Sequence, residues 1–341
     1  MQPLHRTWRL AALLCIFLLA QSARSTSAAD VAGSLHDLEA LRAGIAAINL
    51  CYPLVPGGFQ RPAAAIAAEI AAVKSRLAAA GGSYTLALQG WYAKPAEPDP
   101  EGLQAAKMTF GLAMSSADFE SAAVRHDVNA ALAGSKIVVP LDGDTEYVVV
   151  AHEAMHDSWL TPFKKEETSK GVFHGHSRDE PAMYLTQTVG AVEDRRGLRI
   201  DLPLLGGLAF RVFEPRSGAL PLEPAASDLD GPAHGTVTEC RMTLPKFSAR
   251  TSAEALLPSI QAGQLPEIPK IEVRIPPTAI VQSASIDVTE AGVSTTSTTA
   301  IFNWMMAEIR RKVCAIDHPF EYAIVDTTSN TLLVVGSVRD V

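Results

Sequence analysis

The sequence predicts a mixed α/β fold, and three observations carry that expectation. Alanine-rich stretches with scattered charges stop at glycines and read as helices, most clearly from Arg61 to Ala80 ahead of Gly81-Gly82. Runs of β-branched and aromatic residues such as Tyr147-Val-Val-Val-Ala151 read as strands. Near the end of the chain, Asp317 to Asp326 and Thr331 to Val338 are two apolar strands around the polar turn Thr327-Thr-Ser-Asn330. With 341 residues and 48% apolar content the chain can bury a large core.

In chain order, Leu35 to Leu50 carries apolar residues at helical spacing and predicts an amphipathic helix. Val55-Pro-Gly-Gly58 breaks the chain before the helix of Arg61 to Ala80. Tyr84 to Ala93 alternates as a strand, Lys94 to Pro100 is loop, and Gln104 to Ala113 fits a helix or a strand. Ala117 to Leu132 predicts a helix ended by Gly134, and Lys136 to Leu141 a strand. From Asp287 to Ile301 the residues after Gly292 are small or β-branched, with no charge and no proline, which suits another strand.

The N-terminus has the layout of a secretory signal peptide. His5, Arg6 and Arg9 precede an apolar core from Leu10 to Ala20, and small residues follow through Ala29. The apolar run is too short for a membrane span, and Cys15 lies inside it rather than at its end. Residues 1–29 are therefore expected to be removed, by cleavage between Ser22 and Ala29, leaving 30–341 as a single secreted or periplasmic domain. The mature chain keeps Cys51, Cys240 and Cys314, an odd number that leaves at least one thiol unpaired. A net charge of -8, without basic runs interleaved with aromatics, excludes a general nucleic-acid binder. No cofactor, nucleic acid or membrane partner is expected, and the chain is expected to be a monomer.

Three C-terminal motifs carry a family resemblance. Glu290-Ala-Gly292, His318-Pro-Phe320 and Gly336-Ser-Val338 stand in order within about fifty residues, and together they resemble the hinge, the strand after the loop and the last strand of the serpins. The resemblance runs backwards through Thr243-Leu-Pro-Lys-Phe247 with a helix over Ser252 to Gln261, then Ile200-Asp-Leu-Pro203, Pro181 to Gln187, Phe173 and Trp159-Leu-Thr-Pro-Phe163. It departs before Tyr84: serpins begin a long helix beneath the sheet with Ser-Pro-x-Ser-Ile, whereas Asn49-Leu-Cys-Tyr-Pro-Leu54 leads into prolines and glycines. The expected helices there are shortened.

The resemblance implies a serpin-like fold with a large central mixed sheet, a second sheet, flanking helices and an exposed reactive loop at about 290–316. It implies an inhibitor of serine or cysteine proteases rather than an enzyme. The loop would be cut as a suicide substrate and then enter the sheet as an added strand, a mode that serpins themselves exemplify. The hinge would be Glu290, Gly292, Val293, Ser294 and Thr295, and the structural motif Trp159, His318, Pro319 and Phe320. Counting fourteen residues from Gly292 places the reactive bond between Met306 and Ala307, with Met305, Arg310 and Arg311 as competitors. Methionine there points to a chymotrypsin-like or elastase-like target. On insertion Val293, Thr295, Ser297 and Thr299 would turn inward, and Thr295 and Ser297 stand where inhibitory serpins favour alanine, so their hydroxyls need partners.

Two other readings compete. The altered hinge and shortened helices fit a non-inhibitory serpin fold that serves as a binding module. His152-Glu-Ala-Met-His156 is an HExxH sequence, the zinc-peptidase pattern when it lies on a helix. Four residues of helix separate the histidines by about 6 Å along the axis, but four residues of strand separate them by about 13 Å, too far for one zinc with bonds of about 2 Å. The run Tyr147 to Ala151 leads into His152 and predicts the strand, hence no metal.

Overall fold

The computed structural model describes residues 29–30, 34–54, 60–132, 141–173, 176–220, 229, 237–257, 260, 265, 268, 271, 273–275, 277, 281–293 and 311–340. Strands β1 (Ala29–Asp30) and β2 (Leu35–Asp37) precede helices α1 (Leu38–Cys51) and α2 (Gln60–Ala79). Strand β3 (Ser83–Tyr92), helix α3 (Pro100–Phe110), strand β4 (Ala113–Ser116), helix α4 (Ala122–Leu132) and strand β5 (Tyr147–Ser158) follow. The remaining strands are β6 (Ser169–Phe173), β7 (His176–Glu193), β8 (Gly197–Pro203), β9 (Leu208–Pro215), β10 (Val237–Pro245), β11 (Phe247–Ala255) and β12 (Val281–Thr289). The last four are β13 (Gly292–Val293), β14 (Arg311–Ala315), β15 (Phe320–Asp326) and β16 (Leu332–Val338).

These strands make two mixed sheets. Seven stand in the order β1-β11-β12-β13-β5-β3-β4; the other sheet has nine, β14-β10-β7-β8-β9-β15-β16-β2 with β6 added beside β7. The largest hydrophobic cluster joins one face of each sheet, with Val288, Val293 and Trp159 meeting Phe210, Phe247, Phe320 and Tyr322. Phe247 stands edge-on to Phe320 at 5.8 Å between ring centroids, and Trp159 to Phe210 at 5.8 Å, the geometry that aromatic quadrupoles favour. All seven residues of β15 and all seven of β16 are buried, as their apolar runs predict.

Several expected boundaries move, each for a tertiary reason. Leu35 to Asp37 is strand rather than helix, because Leu35 and His36 pair with Gly336 and Val335. The helix starts after Asp37, whose carboxylate accepts from the Ala40 N–H at 2.9 Å, an N-cap. α1 is not amphipathic: thirteen of its fourteen residues are buried, since it packs against α2, α3, β5 and β16 together. Between Asn49 and Tyr84, where shortened helices were expected, α2 runs over the 20 residues Gln60–Ala79.

The ambiguous segment Gln104 to Ala113 resolves as a helix capped by Asp99 and ended at Gly111, φ +71, where glycine's freedom is used. The helix expected from Ala117 starts at Ala122. Ser252 to Ala255 continues β11 instead of starting a helix, because β11 keeps its partner β12 through a register shift between Thr251 and Glu254. Of the strand expected over Lys136 to Leu141, 136–140 lie outside the described residues. The loop expected over 290–316 is shorter at both ends: Gly292–Val293 and Arg311–Ala315 are paired strands, leaving 294–310 outside the described residues.

Candidate functional site

The place where the chain leaves β12 is built around two inserted residues. β12 and β5 point the same way, and β13 fills the top of the space between them: Val293 pairs with Val288 and with Asp157, and Gly292 with Thr289 and with Ser158. Below that point β12 and β5 share no ladder of their own among the described residues. Gly292 is required here twice over. Its φ is +155, and a Cβ would lie 2.4 Å from the Asp157 carbonyl oxygen, closer than any side chain tolerates.

The turn at Glu290-Ala291 is gripped from three sides. The Trp159 indole N–H donates to the Thr289 carbonyl at 2.7 Å, the Trp159 N–H to the Ala291 carbonyl at 3.2 Å, and the Phe163 N–H to the Glu290 carbonyl at 3.0 Å. Thus Trp159, expected as a structural residue, acts as the clamp on the hinge. Glu290 is buried against Lys246, with Nζ 3.1 Å from Oε2. Burial raises its carboxyl, but its own backbone N–H and then the Lys246 ammonium outweigh that and hold it below the ordinary range. Asp157 is buried beside the hinge and accepts from the Gly206 N–H at 2.9 Å; burial pushes its carboxyl up. His156 sets Nδ1 3.3 Å from the Val293 carbonyl oxygen.

Beneath the space between β12 and β5 lies a polar floor. Gln282 on β12 accepts from the Asp37 N–H at 3.0 Å and donates to its carbonyl at 2.7 Å, which binds the N-cap of α1 to that strand. On the other side the Tyr84 hydroxyl donates to Glu153 of β5 at 3.2 Å, and the Asp37 and Glu153 carboxyls act on each other electrostatically. Burial is the main reason that Asp37 is pushed up to about 6 and Glu153 well above its ordinary value; for Glu153 the charges of Asp37 and Glu39 add to it. Glu39, in the first turn of α1, is fully buried and neither of its carboxyl oxygens has a hydrogen-bond partner among the described residues. Burial pushes it up to about 8; the Arg42 charge draws it down, and those of Asp37, Glu69 and Asp326 raise it.

The far end of the 294–310 segment is fixed as well. β14 runs parallel to β10, and Cys240 and Cys314 form a disulfide between them, with Cα atoms 5.5 Å apart. Cys51 is the unpaired, buried thiol. After β14, Glu214 Oε2 accepts from the backbone N–H groups of Asp317 and His318 at 3.0 and 3.2 Å, and His318 Nδ1 stands 2.6 Å from Asp317 Oδ1. Glu214, Asp317 and His318 are the described residues whose chemistry suits a metal, but these bonds already occupy them as a clamp where the chain turns into β15. Burial pushes Glu214 up to about 7; the His318 N–H lowers it and the Asp317 charge raises it. Phe320 enters the core at once and is fully buried, with Pro319 at the turn before it.

The HExxH histidines stand on β5, His152 paired with Ala87 and His156 with Ser83. Strand spacing sets them about 13 Å apart, so the zinc-peptidase reading lacks its geometry. Of the expected hinge, Glu290, Gly292 and Val293 come together as described, and Val293 faces the core at 4% exposure. Ser294 and Thr295 lie outside the described residues, as do Met305, Met306, Ala307 and Arg310. Arg311, a competitor for the reactive bond, is the first residue of β14 and pairs with Glu239. Sequence reasoning missed Asp157, Asp37, Glu39 and Gln282, and met Lys246 and Glu153 only as members of the Thr243 to Phe247 and HExxH motifs. Among the first four, the local signal was the acids at the start of an apolar helix, Asp37 and Glu39.

Comparison with known proteins agrees with this architecture. The profile of the family described as Serpin (serine protease inhibitor) matches residues 17–341. An uncharacterized serpin-like protein of Methanosarcina acetivorans is 24% identical over 226 residues, 60% of this chain; the match spans 53%, about half, of that relative's length. The crystal structure of AtSerpin1 of Arabidopsis, in its native stressed conformation, superimposes with a TM-score of 0.70 at 16% identity, covering 97% of each chain. That of Serpin48 of the insect Tenebrio molitor gives 0.66 at 19% identity over 91% of this chain and 92% of the other. At such identities the structures establish the fold, and the profile extends it over nearly the whole sequence: the chain belongs to the serpin family.

Proposed function

We propose that this chain inhibits serine proteases as a suicide substrate, its segment after Val293 being cut by the target and then drawn between β12 and β5. The observation that carries the reading is the seeded strand: Gly292 and Val293 are already paired on both sides. Continuing both registers sets Ser294 to Ala300 against Asp287 to Val281 on one side and His156 to Val150 on the other. None of those seven residues carries a charge or is proline, so none brings an unpaired charge into the sheet or lacks a ladder N–H. The reactive bond is Met306–Ala307. The place of Arg311 in β14 speaks against it as bait, and Arg310 is its neighbour in sequence. An unbranched apolar residue before the bond suits the hydrophobic pocket of a chymotrypsin-like or elastase-like protease.

The export signal in this reading lies within residues 1–28, one residue shorter than expected, with the cut before Ala29, because Ala29 and Asp30 pair with Phe247 and Ser248. The Cys240–Cys314 disulfide supports an oxidising compartment. Among the described residues no helix is long and apolar enough to cross a membrane. The mature chain is proposed to act as a monomer.

Incubation with a panel of serine and cysteine proteases, followed by denaturing gels, tests the reading. The expected result is a covalent complex with a chymotrypsin-like or elastase-like enzyme, and a released fragment beginning at Ala307. Clean cleavage of the loop by every enzyme, with no complex, would transfer the chain to the non-inhibitory binding class.

A further inference from the structure

The two strands that flank the gap below β13 are each fastened to a half-buried acid. On the β12 side the Gln282 amide clasps the backbone of Asp37, accepting from its N–H at 3.0 Å and donating to its carbonyl at 2.7 Å. The Asp37 carboxylate in turn caps α1 through the Ala40 N–H. On the β5 side Glu153 accepts from the Tyr84 hydroxyl at 3.2 Å, and Tyr84 belongs to β3, which pairs with β5 along its whole length. Each acid thus belongs to its own half of the sheet, and the two carboxyls act on each other between the halves. Few other charges face them. Glu39 and Arg42 come from α1, and the charges of Glu69 on α2 and Asp326 on β15 reach Glu39, but Asp326 is matched by Arg76 at 2.6 Å. His36 precedes Asp37 on β2 and by strand alternation turns to the other face. One buried guanidinium, Arg42, therefore serves Asp37, Glu39 and Glu153, and it gives one N–H to the Leu332 carbonyl at 3.2 Å. Three ionised carboxylates out of water against one such cation are costly.

We propose that Asp37 and Glu153 form a proton-operated latch across the gap between β12 and β5: with a proton on the pair the two strands stay together, and with both acids ionised they are driven apart. With Asp37 held to β12 by Gln282 and Glu153 carried by β5, the repulsion of like charges acts on the strands themselves. The sign follows from solvent access. In the closed sheet burial pushes Asp37 up to about 6 and Glu153 well above its ordinary value, whereas parting the strands admits water and returns both toward the ordinary carboxylate range. The closed state therefore binds more protons than the open one. Acid favours closure, and closure weakens as pH rises from the ordinary carboxylate range through about 6 and beyond. The part the latch plays in admitting the cut segment rests on the insertion reading above; the latch itself is a property of β5, β12 and α1.

Amide hydrogen exchange of the intact, uncut full chain at pH 5 and pH 9 is the test, corrected for the pH dependence of intrinsic exchange and with the amides of β15 and β16 as the reference. A coupling of one pKa unit between the two acids is about a tenfold shift in the opening equilibrium. The amides of β5 and β12 should therefore open about tenfold more at pH 9 than at pH 5 in the wild type. Glu153→Gln keeps an oxygen for the Tyr84 hydroxyl and Asp37→Asn keeps a capping oxygen for α1, so each removes a charge without removing the bond. In both variants the rise should vanish, and in Glu39→Gln it should persist. Equal opening of β5 and β12 at the two pH values in the wild type, or a rise that survives in Glu153→Gln and Asp37→Asn, would overturn the latch. No protease enters this measurement, so a chain that forms no covalent complex would remove the insertion reading and leave the latch standing.

Discussion

Replacing Glu39 by glutamine should make the protein more stable in alkaline solution and leave it unchanged in acid. Glu39 is fully buried, has no hydrogen-bond partner for either oxygen among the described residues, and holds its proton up to about pH 8. In the unfolded chain the same carboxyl ionises near its ordinary value of 4.5. Between those values the folded state binds more protons than the unfolded state, so stability falls as pH rises through that window and the loss is complete above about 8. The 3.5 pH units between 4.5 and about 8, at about 1.4 kcal/mol each, amount to about 5 kcal/mol. At roughly 2 °C per kcal/mol for a chain of this size, the midpoint changes by about 10 °C.

Glutamine keeps the shape of the neutral acid and cannot ionise. Denaturation midpoints of the wild type and Glu39→Gln at pH 5 and pH 9 are the measurement. The two proteins should coincide at pH 5, and the variant should stand well above the wild type at pH 9. Asp37 and Glu153 still titrate in both proteins, so some decline with pH remains in the variant. Equal midpoints at both pH values would show that Glu39 reaches water or an unseen partner, and would refute the burial argument.

Three further changes probe the two ends of the 294–310 segment. Glu290→Gln should leave the buried Lys246 ammonium without its counter-charge and cost about 3 kcal/mol, read as a lower thermal midpoint; no change would mean the pair is solvated. Gly292→Val should drive a Cβ into the Asp157 carbonyl, abolish the β13 pairing and remove the covalent complex with a protease; a fully inhibitory variant would show that the seed is dispensable. Changing Cys240 and Cys314 to serine opens a link across a sequence separation of 74 residues and should cost about 4 kcal/mol by loop entropy. Thiol titration of the denatured wild type should find one thiol, Cys51, and three would rule out the disulfide.

What the sequence showed of this molecule was what short-range pattern can carry. The β15–β16 pair was legible because its apolar runs and the polar turn between them lie within twenty residues, and α2 because Gly81 and Gly82 end an unbroken alanine-rich run. The HExxH segment was read as strand from the run Tyr147 to Ala151 and the Trp159 to Phe163 resemblance after it, and it is strand. Ser252 to Ala255 was misread because the resemblance set a helix to start at Ser252, whereas pairing with β12 carries β11 on to Ala255. At the hinge, Glu290 and Gly292 announced themselves as a motif, yet Lys246 lies 44 positions from Glu290 and Asp37 lies 245 from Gln282. No local window contains such pairs. The cysteine count left pairing open for the same reason, since the fold alone brings β14 beside β10.

The polar floor matters because backbone terms alone leave insertion close to balance. Seven residues from 294 to 300 carry about fourteen backbone donors and acceptors, and at about 1 kcal/mol per bond their pairing contributes about 14 kcal/mol. Ordering seven residues costs about 10 kcal/mol. The margin of roughly 4 kcal/mol falls within the cost of burying three hydroxyls unpaired, about 3 to 9 kcal/mol at about 1 to 3 kcal/mol each. With Thr295, Ser297 and Thr299 facing an apolar floor, insertion would be close to neutral or unfavourable. The sign of the proposed insertion therefore rests on the partners those hydroxyls find, and not on the backbone alone.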